Sequence, residues 1–197
     1  YDITAGQYIA ELMPYPGASW CVANAINSNN EVSGFRSIGS KGDTVNPFTA
    51  FVWSVDTEQF TDLGVLNGPN SSATDIAEDG TVVGWTSGNI VSVATRAFIR
   101  QNGRTLVLPP VPEGVNSYAV AAASSEKILV RGRVGAYTRS FAYFDDTYMD
   151  LGILPGFDVV LAHGLNAQGT VVGTVRRLSP TIDVPFIWHK GVLHDLS

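Results

Sequence analysis

Glu78-Asp79-Gly80, the histidines His163, His189 and His194, and a set of clustered arginines are the residues of this chain whose types could do chemistry. An acidic pair before a glycine is what a Ca²⁺ loop offers. The D-x-[DN]-x-[DN]-G pattern with a Glu six residues past the Gly is not met, however. The same slot is filled by Ser28-Asn29-Asn30 and Ala167-Gln168-Gly169 in similar stretches, and a metal ligand at Asp79 would not freely give way to Asn29 or Gln168. A short hairpin ending in a left-handed residue needs Gly or Asn at that point, and all three versions supply one. The spacing predicts a turn.

The other chemical signatures thin out in the same way. A three-histidine metal site needs its ligands to converge, and the strand phasing given below separates these three, so no metal site is expected. G-x-S-x-G and H-E-x-x-H are both absent from the sequence. "GFRSIGSKGDT" (34–44) misses the phosphate-binding loop because Ser40 intervenes before Lys41 and no helix follows. No cofactor is expected. Asp145-Asp146 reads as a hairpin turn, and Cys21, the single cysteine, as a small buried apolar residue.

The elements that would position any site follow from a repeat. "ASWCVANAINSNNEVSGF" (18–35), "SSATDIAEDGTVVGW" (71–85) and "VVLAHGLNAQGTVVGT" (159–174) are versions of one unit, with "SYAVAAASSEKILVRG" (117–132) a degraded fourth. They place Ile26, Ile76, Ala122 and Leu165 in register. An aromatic marker, Phe51, Phe98, Phe141 and Phe186, recurs at nearly the same period, as does a third element, "FTDLG" (60–64), "TLVLP" (105–109), "MDLGI" (149–153) and "LHDL" (193–196). Alternation over short segments, with Gly, Pro, Asn and Asp between them, predicts four strands per unit. A unit of ~45 residues with four strands has the size of one β-propeller blade. The fold expected is therefore all-β, a single four-bladed propeller over 1–197 with blades near 18–66, 70–108, 116–153 and 160–196. A β-sandwich or open β repeat assembly is the alternative. The A-x-x-I strand, with small residues suited to a crowded axis, is expected innermost. Residues 1–17 are left over, and "QYIAEL" (7–12) is expected to close the ring.

These markers resemble the HAF repeat of mostly extracellular bacterial proteins, A-x-x-I-N-x-x-G-x-V-V-G followed by A-F-x-W and D-L-G. The fullest match is Ala162 to Gly173 with Phe186-Ile187-Trp188 and Asp195-Leu196. The third unit departs from it, with Glu126 and Lys127 where the turn Gly belongs. The resemblance implies propeller-like architecture and a secreted or cell-surface setting, and no catalytic residue.

Composition fits a binding or assembly module. The chain has 197 residues, 45% hydrophobic and 15% charged, and a net charge of −6 that disfavours nucleic acid as a partner. No apolar stretch is long enough to span a bilayer, so membrane insertion is not expected. Arg36, Arg131, Arg133, Arg176 and Arg177 accompany the V-V-G strands of three units and are read as leading into long connections at 36–47, 131–139 and 174–184. Opening on one propeller face, they would receive a carboxylate, a phosphate or a sulfated glycan. An enzyme would instead draw on Asn24, Thr74, Asp75, His163 and Asn166 at the channel mouth, and a structural subunit would self-associate. If 7–12 closes the ring, deleting residues 1–12 lowers the melting temperature markedly. An unchanged thermal melt would count against closure.

Overall fold

A computed structural model describes residues 20–37, 47–64, 66, 68–87 and 94–197. The expected ring-closing segment and most of the phosphate-loop-like stretch lie outside these residues. Each repeat folds as one antiparallel four-stranded sheet in plain meander order. The first holds β1 (Cys21–Ile26), β2 (Glu31–Ser37), β3 (Phe48–Ser54) and β4 (Gln59–Gly64). The second holds β5 (Asn70–Ile76), β6 (Val82–Ser87), β7 (Arg96–Gln101) and β8 (Arg104–Val107). The third is β9 (Gly114–Ser124), β10 (Lys127–Val134), β11 (Tyr137–Phe144) and β12 (Thr147–Asp150). The fourth is β13 (Val159–Leu165), β14 (Val171–Leu178), β15 (Thr181–His189) and β16 (Val192–Asp195).

The sheets stack face to face in chain order. β5 lies on β2 and β3, β9 on β6 and β7, and β13 on β10 and β11, while β1, β5, β9 and β13 run beside one another. The A-x-x-I strands are thus innermost, and β4, β8, β12 and β16 are outermost. This is the four-bladed propeller, and three seams join its blades among the described residues.

Burial follows from the alternation. Phe51, Phe98 and Phe186 are 0% exposed and Phe141 2%, each filling the face its blade turns to its neighbourhood. Phe98 packs with Ala50 and Leu63 of the blade before it, and Phe186 with Leu129 and Ala142. The turns obey the expected chemistry: Asn30, Gly80 and Gly169 all have positive φ (56°, 78° and 79°). In two of these turns the Asn side chain closes the loop. Asn27 Oδ1 accepts from the N–H of Asn29 and Glu31, and Asn166 Oδ1 from those of Gln168 and Thr170. The D-L-G element works similarly, since Asp62, Asp150 and Asp195 each accept the N–H two residues on. Asp145 and Asp146 occupy the hairpin between β11 and β12, with φ of 48° and 59°.

Two of the expected long connections are strand instead. β10 and β11 meet in a two-residue turn at 135–136, and β14 and β15 in one at 179–180. Arginine and threonine alternate there with Val and Leu and continue the pleat, so polar residues masked ordinary β-ladders. The third of these stretches, 36–47, falls largely outside the described residues.

The glycine of V-V-G is fixed by a close approach. A Cβ on Gly84 would stand 1.9 Å from the Ser72 carbonyl oxygen and 2.9 Å from Phe98 Cε1, and Gly34 and Gly173 are hemmed in by the matching backbone oxygens of Val22 and Leu161. Gly84→Ala is expected to cost about 3 kcal/mol in urea unfolding, at the upper end for overpacking. Gly103→Ala, in open space at φ 75°, is expected to cost about 1 kcal/mol. Equal losses would show that the close approach of the β5 backbone does not set the glycine.

Candidate functional site between the second, third and fourth blades

Each inner strand carries a bulge at the same place. Pairing skips Asn24 between Ala23 and Ala25, Thr74 between Ala73 and Asp75, Val120 between Ala119 and Ala121, and His163 between Ala162 and Gly164. A bulge re-aims the side chain it carries. Here it sends a donor across the seam: Asn24 Nδ2 donates to the Ala73 carbonyl at 2.6 Å, and Thr74 Oγ1 to the Ala119 carbonyl at 2.7 Å. Val120 has nothing to donate. At the third seam Arg131, from β10, takes over and gives Nε and Nη2 hydrogen bonds to the Ala162 carbonyl.

A serine completes each of the three described seams. Ala50 N–H donates to Ser71 Oγ, and Ala97 N–H to Ser117 Oγ, from one blade to the inner strand of the next. In the fourth blade Val160 stands in that slot. The serine has moved to the other side as Ser140, donating to the Val160 carbonyl and accepting from Ala162 N–H. Asp75 reaches over the second seam and accepts from Ala122 N–H at 2.9 Å.

The residues proposed for an enzyme therefore hold the backbone together. Asn24, Thr74 and Asp75 bond across seams and Asn166 closes a turn, and of these four only Thr74 lines the cavity described below. His163 lies beside Arg131, with Nδ1 3.0 Å from its Nη2 and Nε2 3.4 Å from Thr174 Oγ1. His189 sits by Thr170 and His194 on β16. Among the described residues no group of three His, Cys, Asp or Glu could hold a metal ion. The Cys21 thiol is pushed up by burial. Glu78 does more than bend: its carboxylate accepts from Ser28 N–H and Oγ across the first seam, which holds it below the usual range.

The five arginines part company. Arg36 pairs with Asp62 and lies over the Phe60 ring, and Arg176 forms a two-pronged pair with Asp183 at 2.7 and 2.8 Å. Arg177 lies on the same strand and is not among the residues lining the cavity described next. Arg131 and Arg133, two apart on β10, share a cavity of about 500 Å³. Trp85, Asn116, Tyr118 and Thr138 line it with them, and none of its described lining residues is an Asp or Glu. Arg133 Nε donates to the Gly135 carbonyl. Asn116 Oδ1 accepts from Thr95 N–H, which leaves its amide N–H groups for a ligand. Trp85 and Tyr118 meet edge to face at 6.1 Å. The aromatic row continues through Phe48 and Phe35 to Trp20, with centroids 5.1 to 6.3 Å apart. Sequence reasoning missed these rings. Their signal was the residue after V-V-G, a column of the repeat that changes chemistry: Phe35, Trp85, Arg131, Thr174.

The geometry defines a class, a β-propeller with an inter-blade cavity, and comparison with solved structures agrees on the fold. The chain is similar to TolB from Acinetobacter baumannii, at 12% identity and TM-score 0.59, covering 90% of this chain and 43% of that one. It is similar to dipeptidyl peptidase 4 of Porphyromonas gingivalis, at 11% and 0.61, covering 88% and 30%. An oligogalacturonate lyase in complex with manganese matches at 11% and 0.61, covering 90% and 54%. The chain thus spans about half or less of each of these proteins. No protein-family model matches it, and no curated protein does.

Burial first, and the Arg131 charge second, push the His163 imidazole below its ordinary value of 6.5. The unfolded chain then binds the proton more readily, so this histidine's contribution is intact above pH ~6.5 and is lost as pH falls below it. An NMR titration is expected to place the His163 midpoint below 6.5, and Arg131→Met to raise it. A midpoint unmoved by the substitution would disprove the coupling.

Proposed function

We propose that this chain is a binding module, in a secreted or cell-surface setting as the HAF resemblance implies, and that the cavity beside β10 receives an anionic group. One observation carries the reading: two guanidinium groups line one cavity with no carboxylate among its described lining residues, in a chain of net charge −6. Elsewhere Arg36, Arg139 and Arg176 each meet an aspartate. Arg131 spends Nε and Nη2 on the Ala162 carbonyl and so is held in place with its charge uncompensated by an acid. A fixed, unpaired cation in a partly enclosed site favours an anion that can accept several hydrogen bonds.

The scaffold suits this use, since contacts on a rigid repeat are set by the side chains that do not repeat. Asp75 and His163 are engaged in seam and arginine contacts, which leaves the enzymatic reading without a convergent pair. Calorimetric titration with inorganic sulfate at low ionic strength tests the proposal. Arg133→Ala is expected to weaken binding about tenfold, which is ~1.4 kcal/mol, with an unchanged thermal melt. Equal affinity in the two proteins would sink it.

A further inference from the structure

We infer that the anion belongs to a saccharide, and that the cavity takes an acidic oligosaccharide one of whose rings rests against Trp85 and Tyr118. The inference rests on the anion-binding reading and adds the ligand's class.

Three observations carry it. The cavity, at about 500 Å³, is within the range for a ligand of several rings and far larger than a single sulfate needs. The two rings on its wall stand at 72° to each other, so one offers a face where the other offers an edge. That corner provides no parallel slot for a flat base between two rings, whereas a puckered pyranose presents C–H groups in both directions. Tyr118 remains 37% exposed, and the aromatic row leads from it through Trp85 across the second blade toward Trp20, which is 39% exposed. Such a track suits a ligand longer than one ring.

The hydrogen-bonding inventory selects the acidic kind. Neutral sugars are hydroxyl-rich and are held best where strong acceptors such as carboxylates stand beside donors, whereas the charged groups of this cavity are all donors. The Arg131 and Arg133 guanidinium groups and the Asn116 amide offer donors. Acceptor-rich carboxylate or sulfate oxygens match them, and the planar guanidinium fork binds either two-pronged.

The test uses the full 197-residue chain in calorimetry at low ionic strength with four probes: a trisaccharide containing glucuronic acid, its methyl ester, a sulfated disaccharide, and ADP. The glucuronate trisaccharide is expected to bind at least tenfold tighter than inorganic sulfate, and its methyl ester at least tenfold more weakly than the free acid. Trp85→Ala and Tyr118→Ala are each expected to lower trisaccharide affinity severalfold while leaving sulfate affinity within twofold. Because Trp85 packs between Phe48 and Tyr118, the exposed Tyr118→Ala serves where Trp85→Ala lowers the melt. Whether the carboxylate or the sulfate ester binds more tightly identifies which acidic sugar fits, and either order supports the class. Sulfate binding with no gain from the trisaccharide would overturn this inference and leave the anion site standing, and ADP binding tighter than every saccharide would overturn it in favour of a nucleotide. Loss of binding to all the probes and to sulfate would overturn both readings.

Discussion

The blades hold together because at each of the three described seams an inner-strand alanine carbonyl, of Ala73, Ala119 or Ala162, receives a hydrogen bond from the blade before it. A four-stranded sheet satisfies its own ladder, but two such sheets pressed together would cover polar backbone groups at the crowded inner edge, where an unmet carbonyl is costly. Every inner strand has a bulge, at Asn24, Thr74, Val120 and His163, and in the first two blades the bulge answers this. It turns a side chain out of the pleat and lets it donate forward to Ala73 or Ala119. The alanines must be small because the strands meet there, and Ala73, Ala119 and Ala162 are fully buried. Around this seam the rest is hydrophobic filling, with one phenylalanine per blade wedged in place.

The candidate site grows out of a failure in that pattern. Val120 cannot donate, so Arg131 leaves the slot held by Phe35 and Trp85 in the earlier blades and bonds the Ala162 carbonyl instead. A guanidinium is larger than the hydroxyl or amide it replaces and needs room. The space beside it is the cavity, bounded by the Trp85 and Tyr118 rings and by Arg133. A structural repair and a ligand-sized opening have one origin, and burial, with the charge of the same arginine second, depresses the protonation of His163 next to it.

Much of the fold was legible because the blade and its seam are written repeatedly. The small residue before the bulge, the V-V-G glycine under its backbone oxygen and the aromatic marker recur at one period, and each has a steric cause. Glu78-Asp79-Gly80 was readable as a turn for the same reason, through Asn30 and Gly169. What could not be read was which arginines are spent. Arg36 and Arg176 find Asp62 and Asp183 only once strands 26 and 7 residues away are paired, and no local pattern announces that. Nor did the sequence show that Glu78 reaches Ser28, a contact 50 residues long that depends on how two blades face each other. The strands at 131–139 and 174–184 were hidden by their polar residues, which lie on β-ladders rather than in loops.

The serine that changes sides makes the blades unequal in a way their shared outline conceals. At the first two seams the hydroxyl is brought by the incoming strand, through Ser71 and Ser117, and at the third by the outgoing one, through Ser140. Were the second blade followed directly by the fourth, the Ala97 N–H would face Val160 and find no acceptor. Were the third followed by the second, two hydroxyls would crowd one position. The third joint is thus distinguished from the first two, and a rearranged array of these same four modules would meet either a missing acceptor or a crowded pair of hydroxyls wherever the two kinds of joint were mixed.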